Sequence, residues 1–213
     1  MVSVPFLFLS VFYVLLAQYF ASFKRSIFKC APIFWLLFSI FLFRSPTVPT
    51  VYSICIAIGL LFCGIGDICL VYDAQGYFIH GVIAFAFGHI FYIFAYGFNS
   101  FGLPFLIPFV FVLILFVTAF YPNLHGPLLI AVPIYSTIIS CMMWRAFVAA
   151  SENSSFSLAL GAILFGISDT LLSTNMLIKN LPYSKYSIIT TYYMGQYFLA
   201  LSTILTSAKS KSS

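Results

Sequence analysis

Residues 49–72 read PTVYSICIAIGLLFCGIGDICLVY, an apolar stretch in which Asp67 is the only charged residue. A helix rises about 1.5 Å per residue, so a stretch of this length crosses the roughly 30 Å of hydrocarbon in a bilayer. Seven further apolar runs are separated by short turns that carry polar residues. They cover about 5–23, 30–43, 77–98, 101–121, 127–150, 156–178 and 184–207. The pattern predicts an all-α fold, a polytopic transmembrane helical bundle of about eight spans.

The composition excludes a water-soluble globule. Of 213 residues, 63% are hydrophobic and only 6% are charged, which leaves too little polar surface to face water. Because the connections are short, we expect one transmembrane domain over residues 1–208, followed by a short basic tail over 209–213. The run 30–43 is the shortest, and we expect Lys29 and Arg44 to extend it by reaching toward the interfaces.

The charged residues and the cysteines indicate which partners and metal sites to expect. The net charge of +5 comes from Lys and Arg scattered beside the apolar runs, which is typical of anchoring at anionic headgroups. No basic run with interleaved aromatic residues stands apart from them, so we expect no nucleic-acid partner. The five cysteines have no metal-ligand spacing, and we expect no metal site. Oligomeric state is not readable from the sequence. Residues 1–10 lack Lys and Arg, so the first run is expected to be a span rather than a signal peptide.

Two of the apolar runs resemble each other. Aligned without a gap, five residues of one run match five of the other. The matches are Gly59, Gly64, Ile65, Asp67 and Leu70 with Gly161, Gly166, Ile167, Asp169 and Leu172. The two runs lie four spans apart along the chain, as the third and the seventh, so their helices are expected to be parallel, as in a 4+4 internal repeat. Chance similarity between apolar helices is the alternative. A repeat would hold Asp67 and Asp169 at similar depth, where both can share one cavity.

The two aspartates are the main chemical signal in the sequence. A carboxylate near the bilayer centre is unfavourable by roughly 2.5–3.5 kcal/mol, so such residues usually have a use. The alternative is a hydrogen-bonded carboxyl that only ties helices together. Asp73 and Glu152 lie in connections and are interpreted as solvated loop residues.

Other polar residues lie within later runs. His89 and Tyr92 are three residues apart, so they share one helix face. Tyr193 and Gln196 have the same spacing, and all four are candidates to line the cavity of the aspartates. For His89 alone, an ordinary core role is an equal alternative. Arg145 lies late in its run, where it either reaches toward the interface or contacts a headgroup phosphate.

These residues occur in an order that resembles a known family. The shared positions are Gly66-Asp67 with Leu70, Gly81, Phe85, His89 with Tyr92, Ser168-Asp169 with Leu172, and Tyr192-Tyr193 with Gln196. The set resembles the YhhN-type lysoplasmalogenases, small multi-span membrane proteins. The resemblance implies hydrolysis of the vinyl ether of a lysoplasmalogen to a fatty aldehyde and glycerophosphoethanolamine or glycerophosphocholine. It also implies that Asp67 and Asp169 are the catalytic pair.

The implied chemistry suits two carboxyl groups. Protonation of the alkene carbon gives an oxocarbenium ion that water captures, so one neutral carboxylic acid and one carboxylate are needed, as in glycoside hydrolysis. The sequence leaves open which aspartate is the acid. His89, Tyr92, Tyr193, Gln196 and Ser168 are expected to support the pair, and no metal or organic cofactor is required. The tail of the lysophospholipid would lie among Phe and Leu, with its headgroup near Arg145 or an interfacial lysine.

Two other functions remain open at this point. Paired intramembrane aspartates on repeated helices also mark small-solute or proton-coupled transporters. A lipid-binding or scaffold protein without catalysis is the third interpretation, and it would tolerate replacement of both aspartates by Asn.

The C-terminal residues bear on location. Lys211 and Lys209 are third and fifth from the end of the sequence, which resembles the dilysine signal of endoplasmic reticulum membrane proteins. A merely basic tail is the alternative. The sequon Asn153-Ser154-Ser155 would need a lumenal loop, which opposes a cytosolic tail, so the orientation stays open. Basic residues divide between the two sides. Those expected on one side are Lys24, Arg25, Lys29, Lys179 and Lys185, and those on the other are Arg44, Arg145, Lys209 and Lys211.

Overall fold

A computed structural model describes residues 2–153 and 155–204. Over these ranges the chain forms eight α-helices and no strand, which confirms the all-α prediction. The helices are α1 (Ser3–Leu15), α2 (Ser22–Phe43), α3 (Thr50–Val71), α4 (Phe78–Tyr96), α5 (Leu103–Phe120), α6 (Leu128–Asn153), α7 (Phe156–Leu177) and α8 (Ser184–Leu201). The tail with Lys209 and Lys211, and Ser154 of the sequon, lie outside the described residues.

Six helices, α2 to α7, are long and apolar enough to cross a membrane. The chain is therefore an integral, multi-pass membrane protein. Helix α1 is apolar but has only 13 residues, and α8 includes many Ser, Thr and Tyr residues. The predicted count of eight spans and the 4+4 repeat stay predictions.

Helix α2 begins well before the apolar run that predicted it. It starts at Ser22 rather than near residue 30, and Ala21 immediately before it has an extended backbone. Lys29, expected to flank a short span, lies inside a 22-residue helix. Hydropathy shows only where apolar side chains occur along the sequence. A helix can continue through a lysine when an acidic side chain in the bundle pairs with the charge of that lysine.

Close helix contacts at glycines hold two neighbouring pairs together. On α3, a Cβ at Gly59 would lie 2.2 Å from Cε1 of Tyr92 on α4, so only glycine leaves room for that ring. On α7, a Cβ at Gly161 would lie 3.0 Å from the backbone nitrogen of Leu199 on α8. Small residues at such contacts let helix backbones approach closely in membranes. These contacts pack α3 closely against α4, and α7 closely against α8.

Helix α5 lies at the edge of the bundle. It packs on α6, where the rings of Phe109 and Phe147 are 5.2 Å apart. Most of its other large side chains are exposed, among them Ile107 and Phe111. In a bilayer these apolar side chains face lipid, because the surrounding hydrocarbon is as apolar as they are.

Candidate active site

Both aspartates singled out by the sequence line one cavity. The cavity has a volume of about 370 Å³, within the range of small-molecule sites, and Asp67 and Asp169 are among its lining residues. Asp67 reaches it from the last turns of α3, and Asp169 reaches it from α7. The structure thus brings together two carboxyl groups from separate helices.

Asp67 is buried beside a cation. Its side chain is 2% exposed, and its Oδ1 lies 3.2 Å from Nζ of Lys29. The hydroxyl of Tyr192 donates a hydrogen bond to Oδ2 over 2.7 Å. The next residue, Tyr193, donates to the backbone carbonyl of Lys29, also over 2.7 Å. Successive residues of a helix point about 100° apart, so α8 contacts α3 and α2 at once.

These contacts give Asp67 what an ionised carboxylate needs in an apolar bundle. A buried charge is tolerated where an opposite charge and hydrogen bonds replace the lost water. Lys29 supplies the charge, and Tyr192 supplies a neutral donor.

Asp169 has a different environment. The hydroxyl of Tyr135, on α6, donates a hydrogen bond to its Oδ2. The oxygen of Tyr135 also lies 3.1 Å from Nε2 of His89. Because the Tyr135 proton points to Asp169, we assign the Nε2–H tautomer to His89, which then donates to Tyr135. Among the described residues, no cation forms an ion pair with Asp169.

The remaining predicted residues lie behind the cavity wall or join helices. Tyr92 donates a 2.6 Å hydrogen bond to Oε1 of Gln196, and both side chains are fully buried. Ser168 lines the cavity and donates over 2.9 Å to the carbonyl of Ile188 on α8. His89, Tyr92, Tyr193 and Gln196 do not themselves line the cavity. His89 contacts Tyr135 and Tyr193 contacts the backbone of Lys29, and both of those partners line it.

Arg145 lies away from the two aspartates. It follows Tyr135 by ten residues, about 15 Å along α6. Its Nε donates to the carbonyl of Gly97 and its Nη1 to that of Ser100, each over 2.7 Å. The guanidinium also lies 5.0 Å from the ring centre of Phe98. Arg145 is completely buried, and its contacts hold the connection between α4 and α5.

Sequence reasoning assigned no role at the site to three of its residues, which are Lys29, Tyr135 and Tyr192. Tyr192 appeared only among the family motifs. Lys29 carried a usable signal, because it follows Arg25 by one helical turn and enters an apolar run, where a lysine needs an acidic partner. Tyr135 carried none, since it is one of fourteen tyrosines and has no charged residue near it in the sequence.

The cavity opens at one end of the bundle through what we call the mouth. The mouth consists of Gln18, Arg25, Asp73, Asn175, Ser184 and Lys185, all at helix ends or in turns. Two contacts gather these segments. Nη2 of Arg25 donates to the carbonyl of Val71 over 2.9 Å, and the hydroxyls of Tyr19 and Tyr186 are 2.9 Å apart.

Much of the remaining lining of the cavity is apolar, although Ser136 and Ser140 of α6 also take part. Val112 and Phe116 of α5 line it together with Ile139 and Met143 of α6. Among the described residues, no group of three or more His, Cys, Asp or Glu side chains is placed to hold a metal ion.

Comparisons with known proteins identify the family of this chain. Residues 24–203 match the model of the YhhN family. The chain is 34% identical to lysoplasmalogenase TMEM86A of Bos taurus over 195 residues, 86% of this chain and 79% of that protein. It is 34% identical to lysoplasmalogenase TMEM86B of Sus scrofa over 186 residues, 85% of this chain and 76% of that protein. No solved structure gives a significant match. The resemblance noted in the motifs is confirmed, and the chain belongs to the YhhN family.

Proposed function

We propose that this chain is a lysoplasmalogenase, which hydrolyses the vinyl ether of lysoplasmalogens to a fatty aldehyde and glycerophosphoethanolamine or glycerophosphocholine. The observation that carries the proposal is the pair of carboxyl groups on one cavity, one beside a cation and one without. The relatives from cattle and pig bear the name lysoplasmalogenase, which supports the same activity.

The unequal partners suggest separate roles. Asp169 has no cation, so it is the group that holds a proton, and Asp67 beside Lys29 is the ionised base. In the first step the O–H bond of Asp169 breaks and its proton forms a C–H bond at the β-carbon of the alkene. The ether oxygen then shares the positive charge as an oxocarbenium ion. The hydrogen bond from Tyr135 stabilises the carboxylate left on Asp169.

Water completes the reaction in two further steps. Its oxygen bonds to the carbon beside the ether oxygen while Asp67 takes one of its protons, which gives a hemiacetal. The hemiacetal breaks when Asp67 returns that proton to the ether oxygen and the Asp169 carboxylate takes the hydroxyl proton. The products are the aldehyde and the headgroup alcohol, and both carboxyl groups regain their starting states. This exchange of roles parallels the two carboxyls of glycosidases.

The first experiment measures aldehyde release by the purified, detergent-solubilised protein. Lysoplasmenylethanolamine is compared with its ester-linked analogue, using wild type, Asp67→Asn and Asp169→Asn. We expect aldehyde from the vinyl ether alone and loss of about two orders of magnitude or more in either variant. Full activity in both variants would overturn the two-carboxylate mechanism.

A folded wild type that releases no aldehyde would overturn the enzyme assignment itself. Solute or proton flux in proteoliposomes, lost on replacement of Asp67, would then establish a transporter instead. Folding is checked by a monodisperse elution profile and a cooperative thermal transition.

Residence in the endoplasmic reticulum membrane is a separate proposal. It is supported by the resemblance of Lys209 and Lys211 to a dilysine signal, and both lie outside the described residues. Replacing both lysines by Ser in an N-terminally tagged protein should shift its distribution to later compartments. An unchanged distribution would contradict the proposal.

A further inference from the structure

The mouth of the cavity carries basic groups that the proposed hydrolysis does not use. Arg25 lies in the first turns of α2, and Lys185 lies at the start of α8. Both line the cavity, and neither forms an ion pair with a described carboxylate. Lys29, one turn deeper than Arg25, is already paired with Asp67. Arg25 and Lys185 are thus free to meet an anion at the entrance.

Only part of the hydrogen-bonding capacity of the Arg25 guanidinium is satisfied by the described residues. One of its terminal nitrogens donates to the carbonyl of Val71, which fixes the guanidinium at the end of α3. Its Nε is buried and has no hydrogen-bond partner among the described residues. A buried donor without a partner is costly, and an arginine fixed through one nitrogen is suited to bind phosphate through the others.

Lys185 is brought to the same entrance by its neighbour. The hydroxyl of Tyr186 lies 2.9 Å from that of Tyr19, just before α2 begins. Asp73 also lines the mouth, where its Oδ1 accepts a hydrogen bond from the Ala74 N–H. The entrance therefore presents both signs of charge, as a phosphoethanolamine or phosphocholine headgroup does.

The depth of the two aspartates below the mouth matches the distance between the phosphate and the vinyl ether of a lysoplasmalogen. Arg25 precedes Lys29, the partner of Asp67, by four residues, and Asp169 precedes Asn175 at the mouth by six. The helical rise makes these separations about 6 and 9 Å. Six bonds separate the phosphorus from the vinyl ether carbon, and an extended chain of that length reaches about 7 Å. A phosphate at the mouth therefore places the reacting carbon at the depth of the two aspartates.

Beyond the two aspartates, apolar side chains of the cavity can contact the hydrocarbon tail of the lysolipid. Met143 lies eight residues beyond Tyr135 on α6, about 12 Å deeper, and lines the same cavity. Ile139, one turn before Met143 on α6, also lines the cavity. A headgroup at the mouth and a tail along Met143 is the orientation that a lysolipid already has in a leaflet.

We propose that Arg25 and Lys185 form the subsite for the phosphodiester of the lysophospholipid, which enters through the mouth with its headgroup last. This inference rests on the proposed function, and it assigns the headgroup to the opposite end of the bundle from Arg145.

The test compares substrates with and without the phosphate. KM is measured at matched micelle mole fraction for lysoplasmenylethanolamine and for a 1-O-alkenylglycerol, which has the vinyl ether but no phosphodiester. The preference for the phosphate substrate is the ratio of the KM for the alkenylglycerol to the KM for lysoplasmenylethanolamine. We expect Lys185→Gln to reduce this ratio about fivefold, the upper range for an exposed charge pair. Arg25→Gln should reduce it about tenfold or more, because a partly buried charged donor is lost.

Two nearby lysines provide matched controls. Lys24 adjoins Arg25, and Lys179 precedes α8 by a few residues, but neither lines the cavity. Lys24→Gln and Lys179→Gln should keep the wild-type preference. If they lower it as much as Lys185→Gln does, the effect is general attraction of charge and the subsite is refuted. Arg25→Lys keeps the charge and guards against misfolding of Arg25→Gln.

A binding assay separates failure of the subsite from failure of the enzyme. A non-hydrolysable 1-O-alkyl lysophosphatidylethanolamine should bind wild type about fivefold more tightly than Lys185→Gln. Such a difference without any aldehyde release would refute the proposed function and support the subsite. Aldehyde release with equal binding and equal KM in wild type and Lys185→Gln would support the proposed function and refute the subsite.

The source of the phosphate is tested by competition. Glycerophosphoethanolamine, which carries the headgroup without a tail, should compete with the alkyl analogue at lower concentration than inorganic phosphate does. Equal competition by inorganic phosphate would identify a general anion site and overturn the assignment to a lipid headgroup.

Discussion

Nζ of Lys29 lies 3.2 Å from Oδ1 of Asp67, and their side chains are 11% and 2% exposed. Lys29 Nζ also lies 3.4 Å from the backbone oxygen of Asp67, so α2 and α3 meet at a polar contact inside an apolar bundle. Removing both charges from water is costly, and their attraction offsets the cost only while both are present. Loss of one partner is therefore expected to lower the stability of the protein more than loss of both.

Lys29→Met is expected to leave an unpaired carboxylate and to destabilise the protein by about 3–5 kcal/mol. The measurement is thermal unfolding in detergent, followed by tryptophan fluorescence. Adding Asp67→Asn should return much of the lost stability without restoring aldehyde release. Strictly additive losses in the double variant would show that the two side chains do not interact.

Tyr135→Phe removes the hydrogen bond donated to Asp169 while keeping the ring. A hydrogen bond to a charged group contributes about 1.5–3 kcal/mol, so kcat should fall about tenfold to a hundredfold. Tyr92→Phe is the control, because Tyr92 donates to neutral Gln196 and does not line the cavity. Equal reductions in kcat for the two variants would remove Tyr135 from the mechanism.

Two glycines of α3 are expected to respond differently to the same change. Gly59→Ala places a Cβ 2.2 Å from the buried ring of Tyr92, which its hydrogen bond to Gln196 holds in place. Overpacking of this kind costs about 1–3 kcal/mol, so the melting temperature should fall. At Gly64 the nearest atom to such a Cβ belongs to Ile33, 3.8 Å away. Gly64→Ala should keep or raise the melting temperature, and a fall equal to that of Gly59→Ala would contradict the packing.

Arg145→Gln is expected to lower stability by about 2 kcal/mol, because the carbonyls of Gly97 and Ser100 lose charged donors. KM for lysoplasmenylethanolamine should stay at its wild-type value, since Arg145 lies away from the cavity. A raised KM with an unchanged melting temperature would instead favour the headgroup contact that the sequence allowed.

Much of the fold was predictable because lipid imposes simple requirements. A long run with Asp67 as its only charge has to be a helix in a bilayer, where each backbone group needs an internal partner. The same reasoning singled out Asp67 and Asp169 as costly residues inside apolar runs, and the structure places both on one cavity. It failed at the start of α2, because hydropathy treats Lys29 as the edge of a span and carries no information about its partner.

Tertiary structure alone decided how the two aspartates differ. By sequence they occupy equivalent positions in two similar runs, whereas in the fold one meets Lys29 and the other meets Tyr135. Residues 29 and 67 are far apart in the chain, and so are residues 135 and 169. Such contacts depend on which helix faces pack together, which no local pattern records. The sequence by itself determined a membrane bundle with two carboxyl groups inside its apolar runs, and helix packing decided their partners, because the cost of a charge away from water depends on its neighbours in space.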